Sequence, residues 1–120
     1  MSVSNEFGAF LRNLRKKHDP EITQEQLADI VGKKKMTISQ IENGKNAPPQ
    51  GEFLQQIAKA LDLTSDEKTQ FYDLAAVARG AVPNDILDYF NKHAELRNAI
   101  RRAQKIKLPN SAWKQLIKEQ

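Results

Sequence analysis

The chain has no cysteine among its 120 residues, so disulfides and thiolate-bound metals are excluded. Its two histidines, His18 and His93, stand far apart without a carboxylate cluster at metal-ligand spacing. Both read as surface residues, and neither a metal nor any other cofactor is expected. No serine has a base and an orienting group arranged around it, and no glycine-rich phosphate loop occurs. Glu25, Asp29 and Glu42 do not make a credible catalytic carboxylate pair, so an enzyme is not expected. Apolar runs stay far short of the ~20 residues needed to cross a membrane. The N-terminus lacks the apolar core of a signal peptide, and a cytoplasmic location is expected, with no membrane partner. Low-complexity segments and internal repeats are absent as well.

What remains is an ordinary globular composition, 39% hydrophobic and 28% charged, with charge unevenly spread. Residues 1–80 carry 11 lysines and arginines against 11 carboxylates, whereas residues 81–120 carry 8 against 4, which supplies the whole net charge of +4. A basic chain is compatible with nucleic-acid binding but does not establish it.

The most informative stretch runs from Thr23 to Lys45. Thr23 followed by Gln26 is a capping-box pattern. Leu27 and Val31 then share one helical face, with small Ala28 beside them, and Gly32 suits the chain reversal that ends the helix. A second short helix places Ile38 and Ile41 inward and stops at Asn43-Gly44. Lys34, Lys35, Thr37 and Gln40 face the other way. Side chains of these kinds reach base edges and phosphates in a DNA major groove.

With Thr23, Gln24, Leu27, Ala28, Gly32, Thr37, Ile38, Ser39, Ile41, Glu42 and Gly44 all in register, the stretch resembles the helix-turn-helix of the lambda-repressor-like family, also called Cro-type or xenobiotic-response-element. The likeness extends over roughly residues 6 to 75, from the segment around Phe10, Leu11 and Leu14 to that around Leu54, Ile57, Ala58 and Leu61. Several positions depart from the family pattern. Lys33 stands where the turn is usually apolar, Lys34 replaces the usual serine cap, and Gly51 replaces a bulky apolar residue. Loss of a cap costs about 0.5–2 kcal/mol.

The first helix has Phe7, Phe10, Leu11 and Leu14 at i, i+3, i+4, i+7, with Arg12, Arg15, Lys16 and Lys17 on its other face. Those four cations read as solvated charge, or alternatively as phosphate contacts. Asp19-Pro20 closes the helix. A fourth helix follows Pro48-Pro49, and Thr64 with Glu67 is a second capping box opening a fifth that ends at Gly80. Phe71 and Tyr72 read as core or interface residues. Beyond Gly80, a helix beginning near Pro83 carries Ile86, Leu87, Tyr89 and Phe90. A further one carries Leu96, Ala99, Ile100 and Ala103 opposite Arg97, Arg101, Arg102 and Lys105. A last one is expected to be capped by Ser111 and to bury Trp113, Leu116 and Ile117 on Phe90 and Ile100. This much apolar surface calls for a partner surface.

The expected fold is all-α: a five-helix DNA-binding domain over residues 1–80 and a helical extension over residues 81–120. The resemblance implies a sequence-specific regulator of transcription that binds double-stranded operator DNA, acts as a repressor, and reads two half-sites as a homodimer. Carried over by position, Lys35, Met36, Thr37 and Gln40 face bases, while Gln24, Lys34, Asn43 and Lys45 hold phosphates. Met36 departs from the polar residue common at its place and offers apolar contact to a thymine methyl. The alternative is an antitoxin-like protein, whose residues 81–120 neutralise a partner protein while the helix-turn-helix autoregulates.

Overall fold

A computed structural model describes residues 3–118. Eight helices and no strand occur among them: α1 Val3–Lys17, α2 Gln24–Ile30, α3 Lys35–Glu42, α4 Gly51–Leu61, α5 Ser65–Arg79, α6 Leu87–Lys92, α7 Ala94–Lys105 and α8 Asn110–Lys118. The chain is all-α, and it divides between Asp85 and Ile86 into two compact units.

In the first unit, local sequence rules place the helix starts. The Thr23 hydroxyl accepts from the Gln26 N–H at 3.1 Å while the Gln26 carboxamide oxygen accepts from the Thr23 N–H at 2.8 Å. Thr64 and Glu67 repeat the arrangement at 3.2 and 3.0 Å. Each box satisfies two N–H groups that a helix start otherwise leaves bare. Glu67 also pairs with Lys17, tying the start of α5 to the end of α1. This ion pair, with the Thr64 N–H, holds the Glu67 carboxyl below the usual carboxylate range.

The core forms where α1 packs on α3 and α5, and α2 on α3 and α4. Phe7, Leu11, Leu27, Ile38, Ile57 and Phe71 are wholly buried in it. The Phe7 and Phe71 rings meet at 5.2 Å between centroids, and Phe71 meets Tyr72 edge-on. Burying one such side chain contributes roughly 1.5–3 kcal/mol.

Two glycines have structural reasons. Gly8 lies against the backbone of α3, where a β-carbon would overlap the carbonyl oxygens of Ile41 and Glu42. Gly51 opens α4 with φ +61°, a conformation that strains a residue with a β-carbon. That accounts for the missing bulky side chain at this position.

The second unit holds α6, α7 and α8. The Arg97 guanidinium donates to the carbonyls of Phe90 and Asn91, both at 2.7 Å, and so takes up acceptors that the end of α6 leaves free. Tyr89 and His93 stack at 4.0 Å. Three expectations are corrected here. Pro83 lies ahead of α6 rather than in its first turn, because residues 84–86 form a turn before the helix starts at Leu87. Ser111 lies inside α8, which begins one residue earlier at Asn110. Trp113 is only half-buried, and Leu116 and Ile117 are 54% and 72% exposed. Three short helices cannot enclose a core of their own, and no side chain of α6, α7 or α8 is fully buried.

Candidate nucleic-acid interface

The α2–turn–α3 pair is held from behind by a polar network. Arg15, on α1, grips Glu42 at the end of α3 with two parallel bonds, Nε to Oε2 at 2.8 Å and Nη2 to Oε1 at 3.0 Å. Its Nη1 donates to the Ile22 carbonyl at 3.0 Å, and Gln24 Nε2 donates to Glu42 Oε1 at 3.0 Å. Arg15 and Glu42 are 5% and 8% exposed. No buried side-chain nitrogen or oxygen lacks a partner among the described residues, so the desolvation cost of this pair is offset by a full set of bonds. The hydrogen bonds that Arg15 donates to Glu42 raise its pKa above its ordinary value.

This corrects the reading of Arg15 as solvated charge or phosphate contact. It is the clamp between α1, the α2 entry and the α3 exit. The structural role expected of Glu42 acquires its physical reason: it is the acceptor of that clamp. Gln24 keeps one amide hydrogen and its own oxygen for other contacts.

Along α3 and its cap, Lys34, Lys35 and Met36 are exposed, and Thr37 and Gln40 are half-buried. Met36 and Thr37 stand four and three residues before Gln40, so the three form one row on the helix surface. Gln40 Oε1 accepts from Asn46 Nδ2 at 3.0 Å. That bond orients the carboxamide and still leaves an Oε1 lone pair and both Nε2 hydrogens available. Lys34 occupies the cap position of α3 and makes no side-chain cap hydrogen bond, as its replacement of serine leads one to expect.

The loop after α3 is pinned by its own backbone. Asn43 Oδ1 accepts from the Lys45 N–H at 3.1 Å, which also lies 2.9 Å from the Gln40 carbonyl. The Lys45 side chain remains exposed. In the turn, Lys33 Nζ stands 4.9 Å from the centroid of the Phe53 ring. A cation over an aromatic face covers apolar surface that an apolar side chain would otherwise cover.

A hollow of about 540 Å³ brings Arg12, Arg15 and Lys16 of α1 together with Thr23, Gln24 and Lys35, and with the carboxylates of Glu21 and Glu25. Sequence spacing left Arg12 and Lys16 unplaced, since nothing local says which face of α1 meets the entry to α2. Its four cations outnumber its two carboxylates, which leaves the hollow net positive beside the polar face of α3.

The class defined by this arrangement is the helix-turn-helix DNA-binding domain. The helix-turn-helix family model matches residues 11–68, which include α2, α3 and α4 entire. The match supports the resemblance, over residues 11–68, to the lambda-repressor-like helix-turn-helix family, a family of DNA-binding regulators of transcription. No curated protein and no solved structure matches the chain significantly. Among the described residues, no helix is long and apolar enough to cross a membrane.

Proposed function

We propose that the protein is a cytoplasmic, sequence-specific repressor that binds a two-half-site operator as a homodimer. The observation that carries this reading is the row of Met36, Thr37 and Gln40 on α3, exposed at Met36 and half-buried at the other two, set on a helix pair clamped by Arg15 and Glu42. In it, Lys35, Met36, Thr37 and Gln40 meet base edges, and Gln24, Lys34, Asn43 and Lys45 set the phosphate register. Residues 1–80 are assigned to DNA and residues 81–120 to association between copies. Support for the second assignment is the large apolar side chains left uncovered in the C-terminal unit, among them Ile100, Ile106, Leu116 and Ile117 at 41–72% exposure.

Two measurements test the proposal. Sequencing duplexes selected by the purified chain should return paired half-sites about 10 base pairs apart. Sedimentation of Leu116→Asp/Ile117→Asp should show weaker association than the parent chain, with weaker operator binding to match, because linked half-sites gain through effective concentration. The same uncovered side chains favour one other reading, the antitoxin-like one. A parent chain that sediments as a monomer, and purifies with a stoichiometric second protein, would put that reading first.

A further inference from the structure

We propose that the cationic face of α7 is a second DNA-contacting surface, in which Arg101, Arg102 and Lys105 engage phosphates. The inference rests on the DNA reading of α3 and extends it to the C-terminal unit.

Charge separates the two units sharply. Up to Asp85 the sequence carries 11 lysines and arginines against 12 carboxylates, a net of −1; from Ile86 onward it carries 8 against 3, a net of +5. The unit with the reading helix therefore has no overall attraction for a polyanion beyond its local cations. The unit without a reading helix has a strong one.

Within the second unit, two of the eight cations are already occupied. Arg97 is spent on the Phe90 and Asn91 carbonyls, and Lys92 pairs with Asp88 at 3.0 Å. Among the described residues, Arg101, Arg102 and Lys105 have no carboxylate partner; Arg101 meets its neighbour Asn98, at 3.0 Å. All three are exposed.

At 100° per residue, Asn98, Arg101, Arg102 and Lys105 form one side of α7, and Leu96, Ala99, Ile100 and Ala103 form the other. The two faces suit different partners. Protein interfaces draw their energy from desolvated aromatic and apolar anchors, and the cationic face has none. Phosphates need point charges and guanidinium forks at a spacing the helix supplies, about 6 Å from residue 101 to residue 105. The apolar face remains free for the association proposed above. Covalent attachment keeps this surface at high effective concentration near any duplex bound by α3.

The test uses the full chain. Arg101→Ala/Arg102→Ala/Lys105→Ala is compared with the parent by fluorescence anisotropy on a selected operator and on a random duplex, from 50 to 200 mM salt. The slope of log K against log salt should become shallower by about 2–3, close to 0.9 for each phosphate lost. Both duplexes should weaken alike, which leaves the preference for operator intact. The charge-keeping variant Arg101→Lys/Arg102→Lys/Lys105→Arg should restore the slope.

An unchanged slope in the alanine variant overturns the inference, and so does a slope that the charge-keeping variant fails to restore. Loss of binding to a poly-glutamate probe without a change in slope would assign the face to an acidic protein instead. A parent chain that binds no duplex at all would remove the DNA reading of α3 itself.

Discussion

Arg15 and Glu42, 27 residues apart in sequence, meet in a two-pronged buried ion pair that fixes where α3 ends relative to α1. Since α3 carries the row proposed to meet the bases, this pair sets the orientation of that surface relative to α1.

Glu42→Ala should lower the unfolding free energy by about 3–5 kcal/mol, because it leaves the Arg15 charge buried without a partner. Replacing both residues, as Arg15→Met/Glu42→Leu, should recover much of that loss. Urea denaturation of the two variants beside the parent checks the order.

Gln40→Ala should cost about 1–3 kcal/mol at the operator and relax the preference at one position per half-site, through loss of a bidentate carboxamide–adenine pair. Lys45→Ala should instead weaken operator and random duplex alike and reduce the salt slope by about one. Titrations on both duplexes at several salt concentrations separate the two behaviours.

Glu67 titrates below the usual carboxylate range, chiefly through its hydrogen-bonded pair with Lys17. A carboxyl with a lowered folded-state pKa stabilises the fold above its unfolded value, and that contribution disappears as pH falls through the folded value. The melting temperature of Glu67→Gln should therefore lie below that of the parent at pH 6, and the gap should close on acidification below pH ~4. Thermal melts at half-unit pH steps provide the reading.

Lys34→Ser should give α3 the cap it lacks and raise stability by about 0.5–2 kcal/mol. The same change removes a cation from the proposed phosphate set, so affinity for random duplex should fall while the fold becomes firmer. Denaturation and anisotropy measured on one preparation test the opposition.

The features legible in the sequence were those written within a few residues: the boxes at Thr23–Gln26 and Thr64–Glu67, the inward pair Ile38 and Ile41, and the polar row from Lys34 to Gln40. Arg15 was not legible. Periodicity places it among the cations of α1, and only the fold brings Glu42 to it. Gln24 likewise carries only the phosphate role that the resemblance implies until Glu42 arrives beside it. In the C-terminal unit, spacing revealed helices with apolar faces at Ile100, Leu116 and Ile117. What covers a face is a property of the assembly rather than of the helix, so their exposure could not be read from periodicity.

Gly8 has a consequence for how the chain tolerates variation. Its constraint comes from two backbone carbonyls at the end of α3, which cannot move aside as a flexible side chain can. The objection is thus to the first carbon of any side chain, whatever its polarity, charge or size beyond that point. A saturation library should show position 8 as a flat line, with nearly every replacement rejected alike. Phe7 beside it, wholly buried in the apolar core, should show a slope, with losses graded by volume and polarity. Two adjacent columns of such a map would distinguish a site that selects among side chains from one that admits none.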